Sequence, residues 1–207
     1  LEEDPQDVLV RLASTAWGVQ YPSADQLQWF IDLYCERLRL WGVIGIAKHA
    51  ELLACIRRLG VDHAVIDSLM CLDIANDDWD GQRRFANLLS ATARQTGAHL
   101  HLVAHPRKLV SASQALDLND VAGAREIGGI ADNVLFIRRG SDKQEYGPKA
   151  DPTPMCVSIR KQRHFNGAIT DIEGDFYRRW RQFSPRPEFA TFGGPAGPAR
   201  YVAEMTV

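Results

Sequence analysis

The sequence predicts an α/β fold with a mostly parallel central sheet flanked by helices. Three observations predict it. Helix-period and strand-like segments alternate over the first hundred residues. Two apolar runs, HAVID at 63–67 and HLHLVA at 99–104, are separated by a helix-length stretch that ends at Gly97. Parallel neighbours need a crossover of this kind. Further short strand-like runs then cluster after residue 130.

Taken in order, Pro5 suits the first turn of a helix over 5–17, with Val8, Leu9, Leu12 and Ala16 on one face and Gly18 as its stop. Ser23-Ala24-Asp25-Gln26 is close to a capping box. It opens a helix running to Leu38, with Leu27, Phe30, Ile31, Tyr34 and Leu38 on its apolar face. Leu38-Arg39-Leu40-Trp41 reads as a short strand. A helix over 47–59 carries Leu52, Leu53, Ile56 and Leu59 and ends at Gly60. HAVID reads as a buried parallel strand with an acidic end. A helix over 79–96 and a strand over 98–104 come next. Residues 109–131 read as a long loop. Strands over 133–138 and 155–160 flank a polar loop at 139–153. From residue 185 the chain is rich in Gly and Pro and reads as a tail. No fixed-period repeat is present.

The length, 207 residues, suffices for one large domain with a buried core. No apolar run has the length of a membrane-spanning helix, so no membrane partner is expected. The acidic start LEEDPQDVL lacks the pattern of a signal peptide, which makes the cytoplasm the expected location. The net charge of −2 carries no bulk signal for nucleic acid. DNA binding would have to rest on local positive charge. Four cysteines, at 35, 55, 71 and 156, form no CxxC pair and are expected as buried free thiols. No nucleophile motif or dinucleotide fingerprint points to a small-molecule enzyme.

Four segments carry candidate chemistry. Asp67 ends the HAVID strand, at the sheet edge where open α/β folds place their ligands. A carboxylate there suits magnesium beside a nucleotide, although many such aspartates merely cap the next turn or helix. In HLVAHPRK, His105 ends a strand, and Arg107 and Lys108 lie just beyond it. The imidazole suits a phosphate sensor and the two cations suit DNA phosphates. A metal site at His99, His101 and His105 is a weaker rival, since no carboxylate or thiol completes the set. The loop 109–131 is long and glycine-bearing, with Arg125 as its single cation, and loops of that length are often functional. In RKQRHFNG, at 160–167, three cations lie at a strand end. They are either a basic turn or, at a subunit interface, a source of an arginine finger.

The order of these elements resembles the RecA-type core of DnaB/Twinkle-type hexameric replicative helicases, most closely the Twinkle-like and phage primase-helicase branch. LEE at 1–3, VIDSLM at 65–70, HLHLVAHPRK at 99–108, DVAGAREIGGIADNVLFIRR at 120–139 and VSIRKQRHFNG at 157–167 carry the resemblance. It implies a RecA-like P-loop core over 1–184, truncated at its N-terminus, and then the tail 185–207. It further implies an ATP-dependent DNA helicase motor that uses ATP or another NTP with Mg2+. The implied partners are single-stranded DNA, a hexameric or heptameric ring of like subunits, and a linked primase or TOPRIM domain. The implied setting is the cytoplasm of a bacterium or a phage-infected cell. By the same resemblance Glu2 polarises the attacking water. Asp67 is the Walker B magnesium ligand, and His105 senses the γ-phosphate. Arg107, Lys108, Gly123 and Arg125 belong to the DNA-facing segment. Arg163 is the arginine finger, Lys161 its companion, and Arg139 a further arginine near the neighbour's nucleotide.

One departure is plain. No G-x-x-x-x-G-K-[ST] phosphate-binding loop occurs in these 207 residues. On its own, the chain is therefore expected to bind ATP poorly, either as a fragment or as a degenerate partner. The alternatives to a motor are a non-catalytic DNA-binding or ring-assembly module of the same fold, and a RecA/KaiC-like recombinase-type ATPase. The latter does not account for HPRK or KQRHFNG.

Overall fold

The structure, a computed structural model, describes residues 3–42, 46–105, 117–121, 125–139, 152–164, 169–179 and 181–185. The chain divides into two compact units. The first is built on Trp41–Val134 and Arg160–Gly167, the second on Glu3–Leu40, Leu135–Ile159 and Ala168–Val207.

In the first unit, helix α3 (His49–Leu59) buries Leu52, Leu53 and Ile56 and stops at Gly60, whose φ of 60° suits a residue without a Cβ. Lys48 cannot cap this helix through its side chain. Asp73 caps it instead, its Oδ1 accepting from the His49 backbone N–H at 2.8 Å and lying 2.6 Å from His49 Nδ1. These contacts hold the Asp73 carboxyl below the usual carboxylate range, the backbone N–H of His49 first and its side chain second. Helix α4 (Trp79–Thr96) buries Gln82, Phe85, Ala86, Leu89 and Thr92 along one stripe. The buried Gln82 amide is satisfied by the Ala75 and Asn76 carbonyls. This helix is the crossover between β1 (His63–Ile66) and β2 (His99–Leu102), which pair in parallel with His63 opposite His99 and Ile66 opposite Leu102. Ile66, Leu69, Phe85, Leu89 and Ile127 share one core with the α3 residues, and Ala64, Leu100 and Leu102 pack against it.

The HAVID strand is not buried on both faces as expected. Ala64 and Ile66 face the core, while Val65 is 67% exposed and His63, His99 and His101 are exposed. The alternation HLHL has the period of a half-buried strand, and that period decides the outcome.

The second unit contains α1 (Pro5–Trp17), α2 (Ala24–Tyr34) and most of a sheet of order β3-β4-β5-β6. Asp4 caps α1 through the Gln6 N–H, and Pro5 sits in the first turn. The Ser23/Gln26 capping box forms as expected, with Gln26 N–H to Ser23 Oγ and Ser23 N–H to Gln26 Oε1. On α1 the buried residues are Ala13 and Ser14, and Leu12 is exposed. Helix α2 ends at Tyr34 rather than Leu38, and no strand forms at 38–41. Trp17 meets Trp29 edge-on at 4.9 Å and donates from Nε1 to the Gln26 carbonyl, joining the two helices.

The strands are β3 (Asn133–Arg139), β4 (Thr153–Gln162), β5 (Thr170–Tyr177) and β6 (Gln182–Pro185). The last two carry no alternation or apolar run that marks them in the sequence. β4 pairs with β5, and β5 with β6, in antiparallel fashion. The described sheets are thus a parallel pair and a larger, substantially antiparallel sheet, not one mostly parallel sheet. The reason is connection length. The long helix α4 stands between β1 and β2, whereas the links after β4 and β5 are a few residues long and allow only reversal. At Gly174 an added Cβ would run into the Phe183 ring and the Ser184 carbonyl, so glycine lets β6 approach.

Of the cysteines, Cys156 is buried as expected, Cys55 and Cys71 are half-buried, and Cys35 is exposed; all are free. Among the described residues no helix is long and apolar enough to cross a membrane.

Candidate functional site

Asp67 comes directly after β1, and His105 stands three residues past the end of β2. The parallel register continues beyond both strands. Val103 donates from its backbone N–H to the Ile66 carbonyl at 2.9 Å, and Leu69 donates to the Val103 carbonyl at 3.0 Å. Asp67 and the segment leading to His105 therefore leave the sheet at the same carboxyl edge. Both residues are exposed, while Ser68 beside Asp67 is fully buried. An exposed carboxylate at this edge is a hard oxygen donor of the kind magnesium accepts alongside phosphates and water.

The second cluster gathers at the end of β4. Lys161 Nζ donates to the Gly128 carbonyl at 3.0 Å and to the Gly129 carbonyl at 2.7 Å. Arg163 donates from Nη2 to the Gly129 carbonyl at 2.8 Å, and its Nη1 lies 2.9 Å from Asp132 Oδ1. The Arg163 backbone N–H donates to the Asp132 carbonyl at 2.9 Å. His164 Nε2 lies 3.6 Å from the same carboxylate oxygen. The glycine carbonyls belong to α5 (Glu126–Ile130), a short helix inside the segment read as loop. Carbonyls in the last turn of a helix lack intrahelical donors and carry partial negative charge, so they suit cations. Burial pushes the Lys161 ammonium below its usual range, the Arg163 charge adds to the shift, and Asp132 partly opposes it.

Arg139 closes β3 and belongs to the second unit. There it lines a cavity of about 530 Å³ with Arg138, Arg178, Arg181, Met155 and Phe176. Arg138 reaches Asp171 at 3.3 Å. Four arginines and the apolar Ile137, Met155 and Phe176 thus share its lining.

The histidine rival takes another form in three dimensions. His99 and His101 share a face of β2, but the third ring on that face is His63 of β1, not His105. The ring centroids lie 4.4 to 5.9 Å apart, with His63 and His101 stacked at 21°. Among the described residues no three ligating side chains are arranged for a metal ion. Burial, with His99 and His63 nearby, pushes the His101 imidazole below its usual range.

Arg125 is exposed and immediately precedes α5. Glu2, Arg107, Lys108 and Gly123 lie outside the described residues, as does the tail after Pro185. Asp132 and the α5 carbonyls are not among the residues the sequence singles out, although an acid just before a strand and a GG pair ahead of it are both visible there. The cavity is likewise missed, and its signal is the basic run RR at 138–139 with YRRWR at 177–181.

No family model matches the chain, and no curated protein matches it. Solved structures do. One is an ATPase domain, with a TM-score of 0.71 and 16% identity, covering 88% of this chain and 71% of that one. Another is a DnaB-like replicative helicase, solved for its interactions with primase, also at 0.71 and 16%, covering 88% of this chain and 49% of that one. At this identity the likeness is one of fold: the chain shares the α/β fold of helicase ATPase domains.

Proposed function

We propose that the chain forms the greater part of the ATP-driven motor of a ring-forming DNA helicase. The observation that carries the reading is the placement of Asp67 and the His105 segment at one carboxyl edge of adjacent parallel strands. Likeness to helicase ATPase domains over 88% of the chain supports it. ATP lies between subunits. Asp67 would hold magnesium, which, when bound, supplies charge stabilisation at the transferring phosphoryl group. Glu2 orients the water, and His105 relays the state of the γ-phosphate toward the DNA-facing segment. Arg107, Lys108, Gly123 and Arg125 belong to that segment, where cations contact phosphates and fix register without reading sequence. Arg163, with Lys161 beside it, acts on the nucleotide of a neighbouring subunit. Arg139 is a further arginine near the neighbour's nucleotide.

The phosphate-cradling loop is not among these 207 residues, so the test uses the natural protein in which the chain occurs. Single-stranded DNA should stimulate its ATP hydrolysis. Asp67→Asn should lower kcat by about 100-fold, the scale of a lost metal contact at the reacting phosphate. DNA binding without any ATP hydrolysis would replace the motor by a non-catalytic DNA-binding or ring-assembly module of the same fold.

A further inference from the structure

We propose that Asp132 is the positioning residue for Arg163, its carboxylate holding the guanidinium and its main-chain carbonyl holding the Arg163 backbone N–H at the end of β4. The inference rests on the reading of Arg163 as a group that acts on a neighbour's nucleotide. A guanidinium that must reach across an interface loses rotamer freedom when it engages, and any fixing done beforehand is not lost at the reaction.

The structure supplies that fixing from both ends of the residue. The main chain of Arg163 is tied to the Asp132 carbonyl, and its tip is tied to Asp132 Oδ1 and the Gly129 carbonyl. These side-chain bonds engage Nη1 and Nη2 once each, and a guanidinium carries about five N–H donors, so the hold leaves donors for an incoming anion. The cluster also settles a conflict of charge. Lys161 and Arg163 share the Gly129 carbonyl, and His164 approaches the same Asp132 oxygen. Without a carboxylate among them, like charges would drive the Arg163 tip away from Lys161.

A merely structural role predicts something else. Arg163 and Asp132 are 43% and 47% exposed, and pairs of that exposure add little to stability. Removing the Asp132 charge should then hardly change melting and should act on the rate.

The experiment is a double-mutant cycle on DNA-stimulated ATP hydrolysis by the natural protein, with Asp132→Asn, Arg163→Ala and the pair. Asp132→Asn should lower kcat about 10-fold, with KM for ATP changed less than about 2-fold, since displacement by an ångström costs rate rather than uniform binding. In the Arg163→Ala background the same substitution should cost less than about 2-fold. Equal losses in both backgrounds, or no loss in the first, overturn the inference. If Arg163→Ala is harmful and Asp132→Asn harmless, the inference alone falls. If Arg163→Ala is harmless, or the unsubstituted protein hydrolyses no ATP, the reading beneath it falls as well. Should Asp132→Asn fail to fold, Asp132→Glu keeps the charge and moves it by one methylene. The same non-additive pattern is then expected, and additive losses overturn the proposal.

Discussion

The β1–β2 pair and the β3–β6 sheet solve different problems. The first is parallel, covered by α3 and α4 on one face, and offers an acid and an imidazole at its carboxyl edge. The second is substantially antiparallel, closely stacked around Gly174, and bears four arginines around a cavity. The acid and the imidazole thus lie in the first unit, which also holds Lys161 and Arg163, while the four cavity arginines lie in the second. The two sheets depend on different forces. Burial under helices maintains the first, and close backbone approach maintains the second.

Substitutions can break each side in turn. Phe85 is 1% exposed at the centre of the first unit's core. Phe85→Ala should destabilise by about 3–5 kcal/mol, read by denaturant unfolding. Gly174→Ala should cost about 1–3 kcal/mol by forcing β6 away from β5, with amide exchange quickening in those two strands first. If amides of α4 exchanged faster instead, the separate dependence of the two sheets would be wrong.

A smaller effect is expected at the cap of α3. Asp73→Ala should cost about 1 kcal/mol near neutral pH. The Asp73 carboxyl is held below its ordinary 3.8 in the folded chain. Its contribution is therefore present above that value and fades as pH falls through the lowered one. The variant should lack this acid-sensitive part of the unfolding curve. The smallest effect is at His101, whose folded imidazole titrates below the ordinary 6.5. As pH falls through that ordinary value, the unfolded chain takes the proton more readily than the folded one, so stability declines. His101→Asn should flatten that decline, and an unchanged slope on acidification from neutral pH would show that the clustered rings do not resist protonation.

Much of the first unit is legible in the sequence because its signals are local. Gly60 and Gly97 stop helices, Leu52, Leu53 and Ile56 mark a face, and HLHL alternates. Asp67 and His105 follow strands that the sequence marks as apolar runs, although it reads HAVID as buried and the structure exposes one face. The features that escape are non-local. Asp73 caps a helix that starts 24 residues earlier, and Asp132 meets a cation about thirty residues away. No short-range pattern encodes such pairs. The antiparallel sheet escapes because β5, TDIEGDFY, gains its strand from pairing with β4 and β6 rather than from an apolar face.

At the centre stands the proposed action of the cations at the end of β4 on a neighbour's nucleotide. The direct measurement is DNA-stimulated ATP hydrolysis in rings assembled from unsubstituted and Arg163→Ala subunits of the natural protein at varied ratios. A group acting in trans predicts that activity falls faster than the fraction of substituted subunits rises, because one defective subunit disables a neighbour's site. Activity falling in simple proportion to that fraction would contradict the claim.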